Sequence, residues 1–350
     1  MNFGYNTYIL LKRERCKLKA MVINKTGGPE VFEMMDIDFP ELKPGYVLVK
    51  VVASSLNPLE TKIRSGLTPA IIPSFPAVLN ADFSGTVMRV SEGVQKVKIG
   101  DEVYGFVGGV KKEWGALAEY TLVDEDLLCL KPGNVDFYEA AMYPLVGITA
   151  WRAIIENSNI KTNDKVLIHG AAGGVGHIAV QLAKLLNAKV YATVSSAEKG
   201  ETAKSFGADY VINYKTEDVE QYVNKYTGGT GFDVVFDTIG GNNLLNSFSA
   251  VKIGGLVVTT NTRVTLDLSM MHSKSIGLKA IFMVLPVITN ANRYEIGNIL
   301  NEMKNLIEAG SLRILKDKEE FKFSEIVKAH EYYESGKATG KILLINDLTQ

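Results

Sequence analysis

The chain of 350 residues is long enough for two domains, and its 46% hydrophobic and 22% charged residues are typical of a soluble globular protein. A formal net charge of −1 gives no electrostatic basis for binding nucleic acid, and no apolar run approaches the ~20 residues that cross a bilayer. Only Cys16 and Cys129 are present, which excludes a disulfide framework and favours a reducing compartment.

The first 19 residues form a separate segment. An apolar run at residues 8–11 precedes a basic cluster, whereas a secretory signal has its charges before a longer apolar core. The basic residues are Lys12, Arg13, Arg15, Lys17 and Lys19. We predict a flexible extension ahead of a domain that begins near residue 20. A transit peptide stays open as an alternative because acids are rare here.

Residues 20–146 have the pattern of a β domain. Short β-rich runs at residues 47–52, 83–90 and 101–106 are separated by proline and glycine. This pattern predicts a partly closed, barrel-like β domain.

The stretch 164–199 has the pattern of a strand, a glycine-rich turn at 170–176, a helix and a second strand at 189–196. Glycines let the backbone approach a pyrophosphate, and free N–H groups at the helix start bind its charge. Ala171 holds the first glycine position of the Gly-x-Gly-x-x-Gly motif, but the strand before and the helix after supply its context. The predicted cofactor contacts are Ala172, Gly173, Gly174, Val175 and Gly176. A glycine turn without a ligand is the alternative.

The end of the second strand indicates which dinucleotide binds. NAD sites usually place an acid about 20 residues beyond the glycine turn. Ser195 lies 22 residues beyond Gly173, and it is followed by Ser196 and Lys199 rather than by an acid. Hydroxyls and an ammonium can bind a 2′-phosphate that a carboxylate would repel, so NADP(H) is favoured over NAD(H). In the alternative interpretation, Lys199 is an ordinary solvated lysine.

Four further strands, at residues 210–213, 232–237, 256–260 and 278–282, complete a doubly wound parallel sheet. Ligands bind at the carboxyl ends of such strands, which places Ile239, Asn261 and Phe282 near the cofactor. Beyond the sheet we predict a helix that ends at Gly310, a second helix capped by Ser324, and a closing strand at 341–345.

Several segments together resemble the medium-chain dehydrogenase/reductase superfamily, in its zinc-independent quinone oxidoreductase (zeta-crystallin-like) branch. They lie at residues 55–66, 100–105, 115–120, 147–151, 171–176, 211–214, 232–237 and 336–341. The resemblance implies an α/β fold with a GroES-like, partly closed β-barrel domain (residues 20–146 and 285–350) and a doubly wound Rossmann domain (147–284). It also implies a homodimer. Asn80 departs from the glycine that is usual at its position.

The same resemblance implies roles for individual residues. Asn57 is similar to an asparagine beside the nicotinamide and substrate, and its alternative role is that of a turn residue before Pro58. Thr149 is similar to a residue that contacts the nicotinamide half. Tyr214 and Lys199 resemble contacts of the adenosine phosphate, and Lys341 resembles a C-terminal residue at the cleft edge.

Zinc is not expected in this chain. Zinc alcohol dehydrogenases hold the metal with Cys and His, whereas Asn57 and Ala81 stand at the corresponding positions here. Without a Lewis acid, alcohol oxidation is disfavoured, and a substrate with its own electron sink is favoured. Lys62 and Arg64 are candidates for polarising the oxygen of such a substrate, with solvated surface positions as the alternative.

The sequence therefore predicts a cytoplasmic, zinc-free, NADPH-dependent reductase of quinones or α,β-unsaturated carbonyl compounds, without a nucleic-acid or membrane partner. One alternative is an enoyl-thioester reductase of the same superfamily, which basic residues at the mouth of a larger pocket would favour. Another is a non-catalytic NADPH-binding structural or regulatory protein.

Overall fold

A computed structural model of the chain describes residues 17–348. Residues 17–19 belong to the first strand, so the predicted extension is too long at its end, and the rest of it lies outside the described residues. The strands of the first half are β1 (Lys17–Ile23), β2 (Phe32–Asp38), β3 (Tyr46–Leu56), β4 (Ala77–Val78), β5 (Asp82–Val90), β6 (Glu102–Phe106), β7 (Tyr120–Asp124) and β8 (Leu128–Leu130). Those of the second half are β9 (Lys165–His169), β10 (Lys189–Val194), β11 (Tyr210–Asn213), β12 (Phe232–Asp237), β13 (Val251–Thr259), β14 (Gly277–Ala280), β15 (Lys316–Lys322) and β16 (Lys341–Ile345).

The α-helices of the described chain lie between these strands and around them. They are α1 (Pro58–Arg64), α2 (Phe137–Ala140), α3 (Pro144–Trp151), α4 (Gly176–Leu185), α5 (Ala197–Ser205), α6 (Val219–Thr227), α7 (Asn243–Ala250), α8 (Ser269–Ser273), α9 (Leu285–Thr289), α10 (Tyr294–Glu308) and α11 (Ile326–Glu334). Within residues 17–348, no helix combines the length and the apolar character needed to span a bilayer.

The β-rich part contains two sheets. One has the order β2-β1-β4, and the other runs β15-β16-β3-β5-β6-β8, with β7 also paired to β3. Strand β3 is the centre of the larger sheet, and most of its residues are buried. The described strands do not close into a full barrel, which agrees with the expected partly closed architecture. Because β16 pairs antiparallel with β3, the end of the chain returns to this sheet.

The backbone conformation at Asn80 explains why asparagine can replace the expected glycine there. Its φ is +69°, in the left-handed region that glycine adopts freely, and Asn is among the residues that tolerate it. Its side-chain amide donates to the Ser55 carbonyl at 3.1 Å. A left-handed turn, which glycine adopts freely, is therefore made here with asparagine.

The second half contains a six-stranded parallel sheet of order β11-β10-β9-β12-β13-β14. The order reverses direction at β9, as in a doubly wound sheet, so the two halves of the sheet diverge there and leave a crevice at the carboxyl ends of the strands. The predicted Rossmann fold is confirmed.

Helix α10 connects the two halves of the molecule. It packs on α3 and β8, and a Cβ on Gly147 of α3 would lie only 2.0 Å from Met303 Cε of α10. Gly310 follows the helix with φ +68°, as expected for a left-handed terminal residue. The prediction that Ser324 caps the next helix is wrong. Helix α11 begins at Ile326, and the Ser324 hydroxyl donates instead to Asp347 at 2.5 Å.

Candidate functional site

The glycine turn lies between β9 and α4. Gly170 has φ +69°, and a Cβ on Gly176 would lie 2.2 Å from the Gly170 carbonyl oxygen, so the helix can approach the strand only with glycine there. The N–H groups of Val175 and Gly176 have no backbone acceptor within residues 17–348, while Gly173 pairs with Gly340 in an isolated parallel bridge. With the positive end of the α4 dipole behind them, these donors can bind a pyrophosphate.

The predicted adenosine contacts come together at the ends of two neighbouring strands. Tyr214 N–H donates to the Val194 carbonyl at 3.2 Å, which places Tyr214 beside Ser195. Ser196 caps α5 and accepts from Lys199 N–H at 3.3 Å. Within the described chain, the Lys199 ammonium has no partner. The serines and Lys199 are half-buried and Tyr214 is exposed, so all four can be reached by a ligand.

The opposite side of the sheet presents apolar groups. Ile239 and Phe282 follow β12 and β14, and they are 55% and 51% exposed, which is unusual for large apolar side chains. The side-chain amide of Asn261 donates to the Ile239 carbonyl at 3.2 Å and fixes that turn. Thr149 is buried and donates its hydroxyl to the Leu145 carbonyl at 2.7 Å. The exposed apolar side chains of Ile239 and Phe282 are suited to contact with a nicotinamide ring.

Asp237, to which sequence reasoning gave no role, holds the turn after β12. This buried carboxylate accepts hydrogen bonds from the N–H groups of Ile239 and Gly240, at 2.9 and 2.8 Å. It also accepts from Asn243 Nδ2 and from Ser247 Oγ. The sequence did contain a signal for this role, because an acidic residue at the end of an apolar central strand needs hydrogen-bond donors around it.

Asn57 lies at the start of α1, where it forms a capping box with Glu60. Its side chain is fully buried: Nδ2 donates to Asp82 Oδ2 at 2.9 Å, and Oδ1 accepts from the Lys341 ammonium. Both ends of the amide are thus occupied by the protein. This geometry argues against the predicted contact with substrate and supports a positioning role.

Lys341 is also fully buried rather than at the cleft edge. Its ammonium donates to the Leu56 carbonyl at 3.1 Å and lies 3.3 Å from Asp82 Oδ2. Its aliphatic chain packs under the glycine turn, since a Cβ on Gly174 would lie 3.4 Å from Lys341 Cδ. The predicted contact of the Lys341 ammonium with the cofactor is therefore replaced by a structural role. Lys341 connects the glycine turn to Asn57.

Asp82 collects the remaining bonds of this buried cluster. Besides Asn57 and Lys341, it accepts from Ser55 Oγ at 2.6 Å and from Leu145 N–H at 2.7 Å. Burial, with the Asp82 carboxylate as the second cause, raises the pKa of neighbouring Glu60 to about 7. Glu60 was missed from the sequence, although Asn-x-x-Glu is a capping-box signal.

Glu60 should make stability depend on pH. Its pKa of about 7 in the fold lies above its ordinary 4.5, so the protonated form is favoured by folding. Its contribution is therefore full below about pH 4.5 and is lost as pH rises towards 7, by an amount on the order of 2–3 kcal/mol. Urea unfolding of the wild type and Glu60→Gln between pH 4.5 and 8 measures this difference. Glu198→Gln, at an exposed helix position, is the control. Parallel curves for the wild type and Glu60→Gln would contradict the prediction.

Arg64 does not face the sheet. Its Nε donates to His330 Nδ1 at 3.2 Å, one terminal nitrogen donates to the Gly27 carbonyl at 2.6 Å, and the other pairs with Glu334. Burial lowers the pKa of His330 to about 3, which fits a neutral acceptor beside a guanidinium. We replace the predicted catalytic role of Arg64 by a structural one, since its guanidinium is buried and bound to three groups.

Lys62, in contrast, is half-buried, and its ammonium has no hydrogen-bond or ion-pair partner among residues 17–348. Burial lowers its pKa below the ordinary value, and the Arg263 guanidinium lowers it further. Arg263 follows β13 and donates to the carbonyl of Leu67, just after α1. Two cations from opposite halves of the molecule thus meet between α1 and the sheet. Arg263 was missed, although a cation after a sheet strand is a usable signal.

His177 and Gln181 on α4 connect the glycine turn to the segment before β15. His177 Nδ1 donates to the Gly173 carbonyl at 2.9 Å, and Nε2 accepts from Leu315 N–H at 2.9 Å. Burial lowers the pKa of His177 to about 4, so the neutral ring makes both bonds. Gln181 exchanges two hydrogen bonds with the backbone of Arg313. The turn is therefore held from behind.

The residues at the position of a dehydrogenase zinc do not fit that metal. Among residues 17–348, no group of three or more His, Cys, Asp or Glu side chains could hold an ion. Ala81 has no ligand atom, and Asn57 Oδ1 already accepts from the Lys341 ammonium. A metal cation at this position would be repelled by the buried Lys341 ammonium.

Family comparisons match both halves of the chain. The family described as "Alcohol dehydrogenase GroES-like domain" matches residues 43–133, and "Zinc-binding dehydrogenase" matches residues 174–300. The chain is 36% identical to the NADPH-dependent alkenal/one oxidoreductase, chloroplastic, of Arabidopsis thaliana, over 94% of this chain and 79% of that protein. It is 31% identical to quinone oxidoreductase 1 of Escherichia coli, over 92% of this chain and 98% of that one.

Solved structures agree with these matches. An alcohol dehydrogenase superfamily protein from Novosphingobium aromaticivorans superimposes with a TM-score of 0.88 at 35% identity, covering 94% of this chain and 99% of that one. The Escherichia coli quinone oxidoreductase complexed with NADPH gives 0.83 at 30% identity, covering 93% and 99%. The chain therefore belongs to the medium-chain dehydrogenase/reductase superfamily, in its quinone oxidoreductase branch.

Proposed function

We propose that this protein is an NADPH-dependent, zinc-free reductase that transfers hydride to quinones or α,β-unsaturated carbonyl compounds. The observation that carries the proposal is the half-buried, unpartnered Lys62 ammonium between α1 and the carboxyl edge of the sheet. An ammonium in that place can bind an oxygen on which negative charge develops. The relatives named as alkenal/one and quinone oxidoreductases reduce substrates of this class.

The chain holds the coenzyme through three groups of residues. The free N–H groups of Val175 and Gly176 bind the pyrophosphate, and the exposed apolar side chains of Ile239 and Phe282 contact the nicotinamide. The adenosine 2′-phosphate is bound by Ser195, Ser196, Lys199 and Tyr214. NADPH supplies the hydride when it is bound.

Substrate activation is the task of Lys62. Hydride adds to the β-carbon of an enone, the electron pair moves to the conjugated oxygen, and Lys62 stabilises the oxyanion. The α-carbon then takes a proton from water. Asn57 positions Lys62 without contacting the substrate, because its bonds to Lys341 and Asp82 fix the start of the helix that carries Lys62.

The test is NADPH and NADH oxidation, side by side, with 9,10-phenanthrenequinone and a simple alkenone. Turnover of either substrate with NADPH supports the proposal. Tight NADPH binding without turnover of any quinone or enone in a broad panel would support the non-catalytic alternative instead.

Lys199→Met should raise the KM for NADPH about tenfold or more and change the KM for NADH little, because the lost ammonium faces only a 2′-phosphate. Steady-state kinetics with both coenzymes measure this split. Lys204→Met, an exposed residue of the same helix, is the matched control. An equal effect on the two coenzymes would refute the assignment of Lys199.

We further propose that the chain has two domains, one of residues 20–146 with 285–350 and one of residues 147–284. We also propose that the protein is cytoplasmic and forms a homodimer. The low cysteine content supports a reducing compartment. The outer edge of β14 has no partner strand within residues 17–348, and the apolar Leu268 and Met270 nearby are exposed, which supports pairing of two copies there. Light scattering that gives the 38.3 kDa monomer mass would overturn the dimer.

A further inference from the structure

The loop after β13 brings a second cation to the substrate side of the cleft. Arg263 is exposed, and its guanidinium donates to the carbonyl of Leu67, which lies in the turn just after α1. Lys62 belongs to the last turn of α1. The arginine thus reaches from the cofactor sheet to the turn next to the helix that carries the proposed catalytic lysine.

Neither cation has an acidic partner in the described part of the chain. The carboxylate nearest to Arg263 in sequence, Asp267, is engaged by the N–H and hydroxyl of Ser269, at 2.8 and 2.6 Å. On α1, Glu60 is turned into the buried cluster, where it accepts from Asn57 N–H at 2.7 Å. Two neighbouring like charges repel each other, and an anion bound between them would offset that repulsion.

The same turn contains an unsatisfied hydroxyl. Thr68 is 8% exposed, and its Oγ1 has no hydrogen-bond partner among residues 17–348. Buried polar groups are nearly always hydrogen-bonded, so an orphan of this kind needs an explanation. This hydroxyl is itself closed off from solvent, so the two cations are the groups of this turn region that a ligand can reach.

We propose that Arg263, with Lys62, forms an anion subsite that selects α,β-unsaturated substrates carrying a carboxylate. The inference rests on the proposed reductase function and specifies its substrate class. Lys62 binds the conjugated oxygen, and Arg263 binds the carboxylate in the fork geometry that guanidinium offers. Hydride adds to the β-carbon and a proton from water adds to the α-carbon, so the carboxylate is retained in the product.

The experiment compares a matched substrate pair, (E)-4-oxopent-2-enoate and its methyl ester, with NADPH. Both have the same enone, and only the acid has the anionic group. In Arg263→Gln, the ratio of kcat/KM for the acid to kcat/KM for the ester should fall at least about tenfold relative to the wild type. Arg263→Lys should restore part of the ratio, and 0.5 M NaCl should reduce it in the wild type. Arg89→Gln, an exposed arginine of β5, is the matched control and should leave the ratio unchanged.

The outcomes separate this inference from the function on which it rests. If the wild type turns over neither the acid, the ester nor any quinone, the proposed function fails. If Arg263→Gln lowers both rates by the same factor, the arginine only holds the Leu67 turn, and the carboxylate subsite is wrong. If Arg263→Gln instead impairs crotonyl-coenzyme A more than crotonyl-N-acetylcysteamine and leaves the acid-to-ester ratio unchanged, the bound anion is a carrier phosphate. That result also overturns the carboxylate assignment.

Discussion

Lys62→Met is expected to lower kcat/KM for an alkenone about 100-fold, because one preorganised donor to a developing oxyanion is lost. The affinity for NADPH should change little, since the proposed coenzyme contacts lie on other elements. Steady-state kinetics with an alkenone and fluorescence titration with NADPH measure the two quantities separately. An unchanged rate, or an equal loss of rate and coenzyme affinity, would remove Lys62 from the reaction.

The pH profile adds a signature that a structural role would not produce. Only the protonated amine stabilises an oxyanion, so activity falls as pH rises through the pKa of Lys62. Burial lowers that pKa below the ordinary 10.5, and the Arg263 guanidinium adds to the effect. The alkaline limb should therefore appear below pH 10.5 in the wild type and disappear in Lys62→Met. Lys98→Met, at an exposed position of the same half, is the control and should keep both the rate and the limb.

The features that the sequence predicted well are those with local causes. The apolar runs, the glycine turn and the position of Gly310 are each determined by residues within a few positions of one another. Their confirmation in the six-stranded sheet and helix α10 needed no knowledge of distant partners. The serines and the lysine after β10 were identified from an equally local spacing, and their contact with the coenzyme stays a prediction.

The features that the sequence did not predict depend on distant residues. Arg64 bonds to His330, 266 positions away, and Lys341 bonds to Asn57, 284 positions away. No local periodicity or spacing reveals such pairings. The sequence therefore predicted a role for Arg64 in substrate binding, whereas its guanidinium stabilises the fold. Ser324 shows the same limit, since its oxygen bonds to Asp347 rather than to its own helix.

Lys341→Met should lower the free energy of unfolding by about 3–5 kcal/mol, the usual effect of removing one partner from a buried ion pair. Lys341 is 2% exposed and Asp82 is fully buried, so the variant would leave a carboxylate uncompensated in the interior. It would also leave Asn57 Oδ1 without its donor. Urea unfolding monitored by tryptophan fluorescence measures the loss.

Two comparisons decide whether charge is the cause of that loss. Lys316→Met makes the same replacement on the neighbouring strand β15, in an exposed pair with Glu320, and should cost less than about 1 kcal/mol. The double variant Lys341→Met, Asp82→Asn should regain part of the stability, because no unpaired charge is then buried. If Lys341→Met is as mild as Lys316→Met, the ion pair contributes little. If the double variant is no more stable than the single one, the loss comes from packing under the glycine turn, and NADPH affinity should fall with it.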